Sequence, residues 1–168
     1  MKGSLLAFGV FSLVLVAACN GPAAPTGAAV EAGTAAAGNG AATVPFKGSF
    51  EGTQTVTPAT PPLATVTMQA TGTGTHLGQF DISLPHTVNF ATSSASGIAT
   101  IVAADGSTIV ANFTGQAQVG PIVTIVEHAT ITGGTGRFAT ASGSFTINRT
   151  FEPATGRTSG TFEGTLIK

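Results

Sequence analysis

"GSFEGT" at residues 48–53 and "GTFEGT" at residues 160–165 are nearly the same hexapeptide, set at opposite ends of the strand-rich part of a 168-residue chain. In extended backbone, side chains alternate between faces, so Gly48, Phe50 and Gly52 share one face of the first copy. Gly160, Phe162 and Gly164 share the corresponding face of the second. An antiparallel meander that stays open leaves its first and last strands with unpaired backbone groups, and pairing those two strands closes the sheet and removes both edges. A register with Phe50 opposite Gly160, Gly48 opposite Phe162 and Lys47 opposite Glu163 lays each ring over a glycine and pairs opposite charges. The register four residues away sets Glu51 against Glu163, which is unfavourable. A strand phrase that simply recurs in a Gly- and Thr-rich protein is the other reading of the two hexapeptides.

The text between the copies supports an all-β fold. Strand formers dominate, threonine is the commonest residue, Phe supplies every aromatic, and 23 glycines punctuate short alternating runs. About eight strands are read from residue 45 onward. The first lies near 46–57, the second near 63–73, and the third spans 76–92 with a possible break at Pro85. Asp105-Gly106 between two apolar runs marks a hairpin. "PIVTIVEHATITGG" (121–134) and "ASGSFTINRTFEPATGRTSGTFEGTLI" (141–167) supply the last three. No helical stretch of useful length is present to build parallel crossovers, so the connectivity is antiparallel.

The N-terminus has a different character. Residues 1–18 carry one positive charge at Lys2, an apolar run from Leu5 to Val16 and small residues before Cys19, the layout of an export signal. A retained transmembrane helix is the weaker alternative, because a bilayer core needs roughly 20 apolar residues. Val16-Ala17-Ala18-Cys19 resembles the lipobox of bacterial lipoproteins, which implies cleavage before Cys19 and acylation of its thiol. Cys19 is the sole cysteine, so it has no partner for an internal disulfide. Several acyl chains at about 0.8 kcal/mol per buried CH₂ anchor durably. Asn20 is not the aspartate that signals inner-membrane retention in enteric lipoproteins, so the expected address is the outer membrane or cell surface. Residues 19–44 are then the lipidated cysteine and an Ala/Gly/Pro linker with one charge, Glu31, and no apolar stripe. As a flexible coil it spans roughly 25–30 Å. Residues 45–168 form the barrel domain.

"GGTGRFATASG" (133–143), with "GTGTHLGQF" (72–80), resembles bacterial proteins of the allene oxide cyclase type, a superfamily that includes plant dirigent proteins. The resemblance covers most of residues 45–168. It implies an eight-stranded antiparallel closed barrel and, from the plant members, a homotrimer. Dirigent proteins commonly carry an arginine near the end of the GGTG segment, and Ser142 stands there in this chain.

Two neighbouring strands carry the candidate site. Along "VTIVEHATI", Val123, Ile125, Glu127, Ala129 and Ile131 share the more apolar face; along "GSFTINRTF", Phe145, Ile147, Arg149 and Phe151 do. A pairing in which Ile131 meets Phe145 and Ala129 meets Ile147 sets Glu127 against Arg149 inside the barrel. A buried carboxylate is tolerable beside a guanidinium fork, so each residue accounts for the other. Glu127 and Arg149 are the candidate catalytic pair, with Phe145, Phe151 and Ile125 as candidate binding residues. The same pair also reads as a structural ion pair, or as two groups reaching solvent at the barrel mouth.

Other constellations are thin. His76, His86 and His128 are too scattered for metal-ligand spacing, and surface or hydrogen-bonded histidines explain them. Gly72, Gly74 and Gly78 lack the Lys and following helix of a phosphate loop, and no nucleophile elbow is present. Asn112 and Asn148 stand in glycosylation-type triplets that strand composition produces by itself. No metal or cofactor is expected. A net charge of -1 gives no basic field for nucleic acid. Three functions follow: a non-catalytic anchored lipoprotein whose barrel binds a small apolar ligand or a surface partner, an isomerase- or cyclase-like enzyme acting on a hydrophobic substrate, or a structural or adhesive envelope protein with a filled barrel.

Overall fold

The computed structural model of the protein describes residues 41–168. The expected export signal, Cys19 and most of the expected linker lie outside the described residues. Eight strands follow one another: β1 (Thr43–Pro58), β2 (Leu63–Gly74), β3 (Gly78–Asn89), β4 (Ser94–Ala103), β5 (Thr108–Gln118), β6 (Val123–Gly134), β7 (Ser142–Glu152) and β8 (Arg157–Ile167). Each pairs antiparallel with the next, and β1 pairs with β8, so the sheet is a closed barrel. A single 3-10 turn among the described residues, Gly136–Phe138, lies between β6 and β7.

The β1–β8 seam has the register expected from the hexapeptides: Phe50 faces Gly160, Gly48 faces Phe162 and Lys47 faces Glu163. The reason is space. A Cβ on Gly48 would stand 2.7 Å from the Phe162 ring, so the ring occupies volume that any other residue would fill. Beyond β1 and β8 the seam continues with two main-chain bonds, Ala42 N–H to the Lys168 carbonyl (3.0 Å) and Lys168 N–H to the Ala42 carbonyl (3.2 Å).

Two expectations need adjustment. The third strand is not broken at Pro85: β3 runs through it and keeps its pairing with β2, where Pro85 faces Thr67. Only the β4 side lapses, at Leu84 and Pro85, and it resumes in the same register at His86 opposite Gly97. Proline has no N–H to give that ladder. The β6–β7 register is shifted by two residues from the one expected. Ile131 faces Gly143, Ala129 faces Phe145, Glu127 faces Ile147 and Ile125 faces Arg149. This arrangement sets bulk against a small residue at both Ile131 and Phe145, whereas the expected one would crowd Ile131 against Phe145. A two-residue shift leaves every side chain on its face, so Glu127 and Arg149 still point inward.

The two ends of the barrel differ. At the end where β1 begins, Phe46, Phe80, Phe145 and Phe162 form a contiguous aromatic cluster with centroid separations of 4.8 to 5.7 Å. Leu77, Phe138 and Leu166, all essentially inaccessible, complete this end. The Asp105–Gly106 turn is tied there too. The Asp105 carboxylate accepts from the Ser107 N–H (3.0 Å), which with the Ser107 hydroxyl and the Arg137 charge holds its pKa below the usual value. Arg137 reaches Asp105 at 2.8 Å and the His76 carbonyl at 2.8 Å, linking three closed-end turns.

Candidate functional site

At the opposite end the interior stays open. A cavity of about 170 Å³ enters between the ends of β1, β3, β5 and β7. Its upper wall is apolar: Val56, Val88, Phe90, Val119, Val123, Ile125 and Phe151 all line it. Phe90 and Val119 are 60% and 79% exposed, so the rim presents hydrocarbon to solvent.

The floor is polar. Arg149, with a side chain 1% exposed, donates from Nε to Glu127 Oε2 (3.0 Å) and from Nη2 to Glu127 Oε1 (2.8 Å). Its Nη1 donates to Gln54 Oε1 at 2.6 Å. The side chains meet diagonally, since Glu127 lies directly opposite Ile147 and Arg149 opposite Ile125. A long side chain covers that diagonal offset. A bidentate guanidinium–carboxylate pair is the geometry in which two buried charges offset much of their own desolvation.

His86 is the fourth floor residue. It is 5% exposed, lines the cavity, and its Nδ1 lies 2.9 Å from the Leu84 carbonyl oxygen. Its ring stacks edge-on against Phe113 at 5.5 Å. Burial pulls the His86 pKa below the ordinary imidazole value; the Leu84 carbonyl opposes that, and the Arg149 and Glu127 charges act in opposite directions.

Glycines make the room for this floor. Gly97 faces His86, Gly115 faces Glu127 and Gly160 faces Arg149 across neighbouring strands. A Cβ at any of the three would stand 2.6 Å from the stem of its partner: His86 Cβ, Glu127 Cγ and Arg149 Cβ respectively. Each polar side chain therefore occupies space that its opposite residue gives up.

The residues singled out from sequence fall into separate places. Arg149, Ile125 and Phe151 line the cavity, and Glu127 stands behind Arg149 without lining it. Phe145 is sealed in the closed-end cluster against Phe46 and Phe162. The three histidines are dispersed: His76 in a closed-end turn, His86 inside the barrel and His128 on its outer face, where Nδ1 lies 3.2 Å from the Thr146 hydroxyl. Among the described residues no three His, Cys, Asp or Glu side chains gather in a way that would hold a metal ion. Gln54 and His86 were not nominated from sequence, although each interrupts an apolar alternation: Phe50, Gly52, Gln54, Val56 in β1 and Ile82, Leu84, His86, Val88 in β3.

No protein-family model matches the chain, and no curated protein does. Among solved structures the barrel is similar to two described as pterocarpan synthase dirigent proteins. GePTS1 superposes with a TM-score of 0.58 at 15% identity, over 75% of this chain and 90% of that one. PsPTS1 gives 0.54 at 14% identity, over 76% and 96%. At such identities the likeness speaks to the fold: an eight-stranded dirigent-like barrel.

Proposed function

We propose that the barrel is a binding module that holds a small, largely apolar ligand in the open-end cavity without transforming it, on a protein exported and anchored to the outer membrane or cell surface through acylated Cys19. One observation carries the binding reading: the interior is asymmetric. Phenylalanines fill the closed end, whereas the other end leaves about 170 Å³ walled by valines, Ile125 and Phe151 above a hydrogen-bonded floor. A barrel with a purely structural task has no need of an open mouth or of inward polar groups. The anchor rests on the sequence around Cys19 alone.

The second reading, an enzyme acting on its ligand, is favoured by the description of both structural neighbours as synthases. In this chain the floor groups that would face a ligand are Arg149, Gln54 and His86, and Ser93, Ser94 and Gln116 also line the cavity; Glu127 is engaged with the guanidinium behind the floor.

Native mass spectrometry of the full chain purified from its own host tests binding. A small molecule should travel with the protein and be lost in an Ala117→Leu variant, which fills the cavity wall. Recovery of the apo mass alone from gentle preparations contradicts binding, and recovery of a substrate–product mixture favours the enzyme. Cys19→Ser should move the protein from the membrane to the soluble fraction; an unacylated Cys19 in the mature wild-type chain defeats the anchor.

A further inference from the structure

The floor of the cavity carries a hydrogen-bonding group that the protein itself leaves unused. A backbone carbonyl can only accept, so at 2.9 Å from the Leu84 oxygen the Nδ1 of His86 carries the proton. In the neutral ring Nε2 is then an acceptor. Leu84 is the sole hydrogen-bond partner of this ring among the described residues, and no fully enclosed side-chain nitrogen or oxygen among them lacks a partner. Nε2 is therefore accessible, and on a side chain 95% buried the accessible space is the cavity that His86 lines. Gln54 complements it. Its Oε1 accepts from Arg149, and its amide N–H groups, without a partner among the described residues, can donate into the same cavity.

We infer that the ligand carries a neutral hydroxyl head, which donates to His86 Nε2 and accepts from Gln54, with an apolar body against Ile125, Val123 and Phe151. This rests on the binding reading above and narrows it. The charge balance of the floor supplies the selectivity. Arg149 and Glu127 neutralise each other in a bidentate pair, so an entering carboxylate finds a cation whose charge is already matched and, at Nε2, a lone pair facing its own. An ammonium head would be buried near the Arg149 charge. A neutral donor fills the open Nε2 acceptor at no electrostatic cost. The size of the cavity limits the body: one of about 150 Å³ holds a benzene ring, so about 170 Å³ takes a single ring or its equivalent, with any longer tail passing out beside Phe90 and Val119.

Benzyl alcohol and anisole are isomers that differ in possessing the O–H, and benzoate tests the acid. Each is titrated into the full chain while the methyl resonances of Ile125 and Val123 are followed. Benzyl alcohol should bind about tenfold more tightly than anisole, the worth of one net hydrogen bond, and benzoate should not saturate the site. In His86→Phe the preference for the alcohol should vanish while anisole still binds. Equal affinity of alcohol and ether in the wild type, saturation by benzoate, or a preference that persists in His86→Phe each overturns the inference while leaving the cavity a binding site. Failure of all three probes to move either methyl overturns the binding reading instead. If His86→Phe does not fold, the comparison of the isomers in the wild type decides alone.

Discussion

Gly115 and Glu127 are cross-strand partners, and a Cβ on the glycine would lie 2.6 Å from Glu127 Cγ. The buried carboxylate thus exists in its rotamer because the residue opposite has no side chain. Gly115→Ala should cost about 1–3 kcal/mol through overpacking, even though Gly→Ala in an ordinary strand position is neutral or favourable. Urea unfolding checks the sign. Unchanged or raised stability would mean that the carboxylate can move aside freely.

The ion pair should behave as a unit. Glu127→Leu leaves the Arg149 charge buried with no counter-charge, and Arg149→Met does the same to Glu127; each should lose about 3–5 kcal/mol. Glu127→Leu combined with Arg149→Met removes both charges and should be markedly less destabilised than the sum of the single changes. A double-mutant cycle with zero coupling energy would contradict the bidentate geometry.

Acid should weaken the fold through His86. Its pKa is lowered in the folded state, so below the ordinary value of 6.5 the unfolded chain takes up a proton that the folded chain refuses. The stability contribution is whole above pH 6.5 and declines as pH falls toward the folded value, at no more than about 1.4 kcal/mol per unit for one proton. Asp105, held below 3.8, titrates outside this window. Urea midpoints at pH 7.5 and 5.5 should differ in the wild type and converge in His86→Phe. Glu127 and Arg149, the charged groups that act on His86, are tested by the same measurement in the paired Leu/Met variant. A wild-type midpoint that stays level across this interval refutes the shift.

The two phenylalanines nominated together should part company. Phe145→Ala opens a hole in the closed-end cluster and should cost about 3–5 kcal/mol. Phe151 is half-buried at the mouth, so Phe151→Ala should cost about 1 kcal/mol or less and instead weaken the binding of anisole. Thermal unfolding and the methyl titration read the two effects separately.

Closure of the barrel was legible because two glycine–aromatic hexapeptides specify a mutual register. The same rule, bulk opposite glycine, also governs Ile131 with Gly143 and Glu127 with Gly115, and it would have given the correct β6–β7 register. Placing opposite charges face to face misled there, because an arginine reaches its partner diagonally. Gln54 was out of reach for a different cause. It meets Arg149 across the barrel interior from a strand not adjacent in the sheet, 95 residues away, and alternation along one strand carries no information about such convergence. His86 left a readable trace, a lone titratable side chain on an apolar face, but its free nitrogen is visible only with the cavity.

The two main-chain bonds between Ala42 and Lys168 make the junction of β1 and β8 equivalent to any hairpin except that no turn spans it. The barrel is thus a closed ring of eight antiparallel pairs, and which neighbouring strands are joined by a turn is incidental to its architecture. A short bridge from residue 168 back to residue 42, with new termini cut between Asp105 and Gly106, yields a circular permutant with every strand pair retained. Such a permutant turns the most distant pairing in the sequence into the most local one. Since each doubling of a loop costs only about 0.6 kcal/mol, the exchange alters the order in which the ring assembles far more than its final depth.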